Sequence, residues 1–299
     1  MKKISKIVIL FVILILLLFI IFAGIWFQNR VNRNSKKTEG FENLETENRY
    51  ACFYAYYEKN EMYKTNFEYF LENGLLENVD YYIIINGNST VKIPENRNIK
   101  IFTRENKGYD FGAYSYAIQK INKKYEYYFF LNTSVKGPYL RDNSKPWINY
   151  FLELFTSKDI KLVGTSVNIF PFSSFDKYIL DEIYGKKPPH THIQSMFFCM
   201  DNEYYEYLKN KDFFNEEEIN RASDIIYIIS YKEFGLTQLA LTNHWNINSI
   251  LSKYRDIDYR TMKTDFNPTS KSGDAYYEGA YFGETIDKYD VIFFKNSRF

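Results

Sequence analysis

Cysteine, proline and histidine are scarce in this chain, and neither sign of charge is in excess. The 299 residues contain two cysteines, Cys52 and Cys199, so a disulfide scaffold and a cysteine-based metal centre are both excluded. Each cysteine lies within an apolar run, where a buried free thiol is expected. Lys and Arg total 38 against 37 Asp and Glu, and the net charge of +1 gives no attraction for nucleic acid. We therefore expect no nucleic-acid partner.

Aromatic residues are abundant. The chain contains 29 Tyr and 27 Phe, and aromatics make up 20% of all residues. This supplies ample material for a packed core. An AT-rich genome would favour tyrosine as well, so the high share has two explanations.

One long uncharged segment lies near the start of the chain. Residues 7–27, about 21 in number, are almost wholly aliphatic or aromatic. That length matches one helical crossing of a bilayer core of about 30 Å, and it exceeds the core of a cleaved signal peptide. We predict a transmembrane signal-anchor with a short tail at 1–28, a polar stalk at 29–48 and a catalytic domain at 49–299.

The charges flanking this segment give little information on orientation. Lysines precede it and both lysines and arginines follow it, so the positive-inside rule favours neither side. A short tail before a large domain is typical of type II enzymes. By that analogy we expect a single-pass protein, held in membrane lipid, whose catalytic domain is lumenal or external, in a host or viral membrane.

From residue 49 onward, short apolar runs alternate with amphipathic stretches. This alternation predicts an α/β fold with a mainly parallel, Rossmann-like sheet flanked by helices. Helices are predicted around 63–71, 111–121, 147–155, 216–230 and 231–241. Strands are predicted at 51–57, 81–85, 99–103, 127–131, 161–167, 193–200 and 292–295.

Polar residues follow two of the predicted strands. The loop at 105–113 carries Asn106, Gly108 and Asp110 at the start of a helix, and Asn132 and Ser134 follow the strand at 127–131. Ligands of open α/β sheets bind outside the carboxyl ends of the strands. Asp110 or Asn106 would hold a nucleotide, or Asp110 merely caps its helix. Asn132 and Ser134 would receive phosphate or sugar hydroxyls, or form a simple turn.

Two further segments carry candidate side chains. His190 and His192 lie two residues apart, a spacing compatible with a metal site, a hydrogen-bonding role or a structural role. Glu233 lies at the predicted start of a helix. It would act as a general base for a sugar hydroxyl if it lies within hydrogen-bond reach, and otherwise it is a solvated surface residue.

Taken in order, these segments resemble a glycosyltransferase-like family of GT-A type. The family is related to rhamnan-synthesis proteins and has uncharacterised plant, algal, fungal and giant-virus members. The resemblance covers roughly residues 50–298, and the ordered set is more specific than any one motif. The matching segments are Glu105–Ala113, Phe129–Pro138, Val163–Ser166, His192–Met196, Glu233–Thr237 and Tyr289–Arg298.

The resemblance implies a nucleotide-sugar donor half merged with an acceptor half. In the family pattern an Asp-x-Asp motif at the end of the fourth strand holds a divalent cation, Mn²⁺ or Mg²⁺, on the donor diphosphate. Here that position reads Asn132-Thr133-Ser134, and neutral oxygens are poorer ligands for hard cations. Metal dependence is therefore open: Asp110 supplies the missing charge, or Lys107, Lys136 and backbone donors stabilise the leaving diphosphate.

The same resemblance assigns the remaining candidates. Glu233 corresponds to the acid of the acceptor-side helix, which is the base in inverting members. His192 and Gln194 lie at the acceptor strand. Lys295 and Arg298 would meet phosphate charge, or they are surface charges near the C-terminus.

Three functions are compatible with the sequence. The first is a membrane-anchored glycosyltransferase that moves a sugar from a nucleotide donor to a hydroxyl of a glycan or glycoprotein. The second is a non-catalytic protein of the same fold that binds glycans or nucleotide sugars. The third is a structural protein of a viral membrane, for which the anchor and the composition are the only support.

Overall fold

The computed structural model describes residues 48–170, 176–185, 189–221 and 224–295. The anchor predicted at 7–27, nearly all of the stalk and Arg298 lie outside these ranges. Within them, no helix is long and apolar enough to cross a membrane. The boundaries of the anchor and the stalk therefore stay predictions.

Seven strands form one sheet in the order β3-β2-β1-β4-β8-β5-β9, and β6 and β7 form a separate antiparallel pair. Neighbours in the large sheet are parallel except at β8, which runs antiparallel to both β4 and β5. The predicted α/β architecture with a mainly parallel sheet is confirmed. The strands are β1 (Tyr50–Tyr56), β2 (Val79–Asn86), β3 (Ile99–Arg104), β4 (Tyr127–Asn132), β5 (Ile160–Gly164), β6 (Val167–Phe170), β7 (His190–Ile193), β8 (Phe197–Asp201) and β9 (Asn246–Ser249).

Helices connect and cover these strands. The first, α1, begins after Asn60, whose side chain accepts the backbone N–H of Tyr63 at 3.0 Å and so caps the helix. The helices are α1 (Glu61–Asn73), α2 (Tyr109–Ile118), α3 (Trp147–Leu152), α4 (Asp176–Tyr184), α5 (Asn202–Asn210), α6 (Glu216–Arg221), α7 (Ile225–Tyr227), a π-helical turn (Ile228–Glu233), α8 (Phe234–Thr242) and α9 (Lys288–Val291).

A row of stacked rings crosses one face of the sheet. Tyr82, Phe53, Phe130 and Phe198 occupy paired positions on four neighbouring strands. Their ring centroids are 5.1, 4.8 and 4.7 Å apart. Tyr114 of α2 packs edge-on against Phe130 at 5.1 Å. Each such pair adds about 0.5–1.5 kcal/mol beyond simple burial, so this row fixes the strands in register and fixes α2 upon them.

Helix α1 covers the opposite face. Phe67 and Phe70 both pack against Tyr54 of β1 with centroid distances of 4.8 Å. Residues 52 and 54 share this face because strand side chains alternate. Cys52 and Cys199 are fully buried free thiols, which confirms the prediction from their apolar surroundings.

Helices α1 and α2 lie on opposite faces of the sheet because the connection from β1 to β2 and the connection from β3 to β4 run in opposite directions. The chain passes from β1 to β2 on one side, and then returns from β3 to β4 on the other side of β1. A change of direction of this kind opens a crevice between β1 and β4 at the carboxyl edge of the sheet. The loops that follow these two strands therefore border a natural binding site.

Three predicted strands differ from the structure. The segment 193–200 contains a turn, because β7 ends at Ile193 and β8 begins at Phe197. The segment 161–167 divides into β5 and β6 after Gly164, where a Cβ atom would come within 2.3 Å of the Ile193 side chain. The segment 292–295 forms only an isolated bridge with Lys136. The first two breaks fall on polar pairs, Gln194-Ser195 and Thr165-Ser166, which periodicity alone did not separate from the apolar residues on either side.

Candidate functional site

A cavity of about 620 Å³ lies at the carboxyl edge of the sheet. Its walls come from the ends of β1, β2 and β4, the turn before β8, the start of α2 and the π-helical turn. Asp110, Asn132 and Glu233 all line it, although they are far apart in the sequence. The structure thus brings together three side chains that the sequence singled out separately.

Asp110 lies in the first turn of α2, one position after a residue with a positive φ, and is partly buried. Asn132 donates its Nδ2 to Asp110 Oδ2 at 2.8 Å, and the Phe111 amide donates to Oδ1 at 3.0 Å. The pKa of Asp110 is raised to about 6, mainly by burial and in smaller part by the negative charge of Glu233, and the hydrogen bonds from Asn132 and the Phe111 amide oppose this rise. This carboxyl group is therefore poised to gain or lose a proton near neutral pH.

Glu233 is the last residue of the π-helical turn and is partly buried. Its Oε1 accepts the backbone N–H of Ser195, in the turn before β8, at 3.0 Å. Among the described residues its second oxygen, Oε2, has no hydrogen-bond partner, and the side chain lines the cavity. The arrangement allows this oxygen to accept a proton from a bound hydroxyl.

Two lysines, Lys59 and Lys295, line the same cavity. In the described chain, neither forms an ion pair within 4.0 Å, and the same holds for Asp110 and Glu233. Two lysines and two carboxyl groups thus line one cavity without direct ion pairs among them in the described chain. Lys295 was a candidate from the sequence. Lys59 was missed, although it lies three residues after the end of the buried strand β1, which is a position where ligand-binding residues occur.

The rest of the wall is largely aromatic and apolar. Tyr57 and Tyr109 are 41% and 42% exposed, which is high for such large side chains. Ile225 and Ile229 line the cavity from α7 and the π-helical turn and are also exposed. Flat rings and apolar side chains next to convergent polar groups are typical of small-molecule sites.

Arg104 orders the loop before α2. It donates to Asn86 Oδ1 at 2.8 Å, to the Lys107 carbonyl at 2.9 Å and to Asn220 Oδ1 at 2.7 Å. Gly112 allows the Lys107 carbonyl to approach the helix, because a Cβ at residue 112 would lie 2.2 Å from that oxygen. This network fixes the loop that carries Asn106, and no sequence motif had indicated Arg104.

Four other predicted residues lie at or beside the cavity. Asn106, Ser134 and Gln194 line it. Gly108, with a φ of 66°, is the N-cap of α2 and supplies the left-handed backbone that the turn requires. Gln194 is buried, accepts from Ser166 and donates to Asp274 at 3.1 Å, so its amide is held inside the protein. The functional roles of these residues stay predictions.

Three predicted residues do not belong to this group. His192 is buried against Phe234, with ring centroids 3.8 Å apart, and does not line the cavity. It is buried because all four residues of β7 are buried, and its ring packs against the first residue of α8. Lys136 borders a different depression and covers the ring of Tyr69 at 5.0 Å. Arg298 lies outside the described residues.

The cavity lining contains few ligands for a divalent cation. No group of three or more His, Cys, Asp or Glu side chains in the described ranges is arranged to hold a metal ion. Asp110 and Glu233 supply carboxylate oxygen, and Asn132 supplies an amide oxygen, which are the ligand types that Mg²⁺ and Mn²⁺ prefer. These residues fit a cation only if a bound phosphate completes its coordination.

Comparisons with known proteins gave structural similarities alone. No protein-family model matches the chain, and no curated protein matches it either. One similar structure is a mannosyltransferase from Pyrobaculum calidifontis in complex with GDP-Man and Mn²⁺. It has 9% identity, a TM-score of 0.34, and coverage of 54% of this chain and 46% of the other. Another is the bifunctional glycosyltransferase WbbM without ligand, with 10% identity, a TM-score of 0.33, and coverage of 60% and 36%.

Both similar structures are glycosyltransferases. The matched part spans less than half the length of either protein. At identities and scores this low, neither similarity carries information about the substrate or the residues of this chain. The relation to rhamnan-synthesis proteins stays a prediction from the sequence motifs.

Proposed function

We propose that this protein is a glycosyltransferase that moves a sugar from a nucleotide-sugar donor to a hydroxyl of a glycan or glycoprotein. The observation that carries the proposal is the meeting of Asp110, Asn132 and Glu233 at one cavity. That cavity lies at the carboxyl edge of a mainly parallel sheet, where nucleotides bind in folds of this type. Its volume of about 620 Å³ suits a ligand of that size.

The charges of the lining suggest how a donor would bind. Lys59 and Lys295 would meet the diphosphate, because they are the cavity-lining cations without an ion-pair partner in the described chain. Asn132 and Ser134 would position the diphosphate or the donor sugar. Asp110, when ionised, would accept a hydrogen bond from a hydroxyl of the nucleotide.

Glu233 would act on the acceptor. Its free oxygen removes the proton of the acceptor hydroxyl while that oxygen forms a bond to the anomeric carbon. The bond from the anomeric carbon to the phosphate oxygen breaks, and the nucleoside diphosphate leaves with the electron pair. The Ser195 amide, 3.0 Å from Oε1, holds the carboxylate in one orientation during this transfer.

Asp110 would hold a divalent cation if one is bound, and the chemistry that such an ion would supply is neutralisation of charge on the leaving group. The Asp-x-Asp position reads Asn132-Thr133-Ser134, so any such ion would depend on the phosphates for part of its coordination. The absence of carboxylates at Asn132-Thr133-Ser134 also favours a second candidate function. In that case the protein would bind a nucleotide sugar or a glycan without catalysis.

Membrane attachment is part of the proposal and rests on the sequence alone. Residues 7–27 would form a single-pass anchor in lipid, and residues 29–48 would link it to the domain at 49–299. In a type II arrangement, the domain would be lumenal or external, where glycan and glycoprotein acceptors occur.

A donor screen tests both functions. The full-length chain in detergent is incubated with a panel of nucleotide sugars, with and without Mn²⁺, and released nucleoside diphosphate is measured. We expect turnover of one donor, and we expect Glu233→Gln to lower kcat at least about 100-fold with unchanged donor affinity. Glu278→Gln, an exposed site away from the cavity, is the matched control. Binding without turnover would support the second function, and no binding would refute both.

A further inference from the structure

Glu233 ends a π-helical turn. The turn spans Ile228–Glu233, and the Phe234 amide donates to the Ile229 carbonyl five residues earlier, instead of four. Such turns are rare, and they occur mostly at functional sites. Their hydrogen bonds do not hold them as firmly as those of an α-helix, so contacts from outside the helix are needed to fix the direction of side chains on the turn.

A partly buried tyrosine and a buried lysine supply such contacts. Tyr184, the last residue of α4, donates its hydroxyl to the Ser230 carbonyl at 2.5 Å. Lys232 is only 4% exposed and donates Nζ to the Phe213 carbonyl at 2.9 Å. A buried ammonium group is costly, and burial lowers the pKa of Lys232. Gly235 leaves room for Tyr184, because a Cβ there would lie 3.0 Å from its hydroxyl.

These contacts flank the candidate base. Ser230 lies three residues before Glu233, and Lys232 lies directly before it. Tyr184 ties the turn to α4, and Lys232 ties it to the segment that follows α5. On its other side, Glu233 is held by the Ser195 amide at 3.0 Å. The turn is thus fixed from three directions, and its one carboxylate borders the cavity.

We propose that Tyr184 and Lys232 are positioning residues for Glu233. They hold the π-helical turn so that the Glu233 carboxylate stays on the Ser195 amide and points toward the acceptor. The catalytic part of this inference rests on the proposed function. The claim that these residues hold Glu233 on the Ser195 amide does not depend on that function, and a separate measurement tests it.

This measurement is the rate of hydrogen exchange at the Ser195 amide, determined at single-residue resolution in the full-length chain. Its N–H bonds to Glu233, so movement of the turn exposes it. We expect Tyr184→Phe and Lys232→Met to speed this exchange about tenfold. We also expect kcat for the accepted donor to fall about tenfold, with donor KM within about twofold of wild type.

Tyr227→Phe is the matched control. It removes a tyrosine hydroxyl that bonds to the exposed Glu218, and it keeps the ring, which stacks on Tyr231 of the turn at 4.6 Å. We expect this variant to leave both the Ser195 exchange and kcat unchanged. Thermal unfolding checks that every variant is folded. If Lys232→Met fails to fold, the effect of the milder Tyr184→Phe on Ser195 exchange and kcat tests the inference.

A lower melting temperature with unchanged Ser195 exchange and unchanged kcat would mean that both residues are merely structural, and it would overturn the inference. If the wild type turns over no nucleotide sugar, the proposed function fails by itself. The exchange at Ser195 then still decides whether Tyr184 and Lys232 hold Glu233 in place.

Discussion

Replacement of Asp110 by asparagine should make the protein more stable at neutral pH. In the folded chain the pKa of Asp110 is raised from 3.8 to about 6, first by burial and then by the charge of Glu233. The folded state therefore keeps its proton at pH values where the unfolded chain has already lost it. Stability falls as pH rises from about 4 to about 6, and above that range the full cost of the buried charge is present.

The size of the effect follows from the same values. A pKa difference of about two corresponds to about 3 kcal/mol between the ionised and the protonated forms. Asparagine avoids this cost. Its oxygen can still accept from Asn132, but its amide group cannot accept from the Phe111 N–H, which loses about 1 kcal/mol. We expect a net gain of about 2 kcal/mol at pH 7.5, or about 5 °C in Tm.

Thermal unfolding of both proteins between pH 4 and pH 8 measures this difference. The gain should shrink on acidification and vanish near pH 4.5, because the cost of the raised pKa has then fallen to about the 1 kcal/mol of the lost hydrogen bond. Glu278→Gln, which neutralises an exposed carboxylate, should show no such dependence. An Asp110→Asn variant that is no more stable than wild type at pH 7.5 would refute the account of this site. We also expect the Asp110→Asn variant to bind the nucleotide-sugar donor more weakly than the wild type.

Three further substitutions have effects that we predict from the contacts of Lys161, Gly112 and Lys59. Lys161→Met should lower the free energy of unfolding by about 3 kcal/mol, because it leaves the mostly buried Asp201 without the ammonium group 2.7 Å away; urea unfolding measures this. Gly112→Ala should lower it by about 2 kcal/mol, since the new Cβ would lie 2.2 Å from the Lys107 carbonyl; an unchanged urea midpoint would contradict the close approach. Lys59→Met should weaken donor binding about tenfold and reduce its salt dependence in titration calorimetry, and equal affinity at low and high salt in the wild type would speak against a phosphate role.

Part of the candidate site could be predicted from local sequence patterns. Asp110 and Asn132 were found because polar side chains follow strand ends, and the carboxyl ends of parallel strands meet at one edge. Lys59 was overlooked, although it also follows a strand, because a single lysine in a polar stretch is most often a surface residue. Arg104 was missed because its three acceptors come from separate segments, and no spacing in the sequence records their meeting.

The sequence by itself determined the class of fold, the positions of most strands and helices, and the burial of both cysteines, because periodicity and apolarity are local properties of the chain. Tertiary structure decided which strands are neighbours, the reversed direction of β8 and the turn that brings Ser195 to Glu233. It also decided that His192 faces the core while Glu233 borders the cavity. Pairing between distant segments and the hydrogen-bond register of a π-helical turn set these directions, and both depend on contacts that no short stretch of sequence contains.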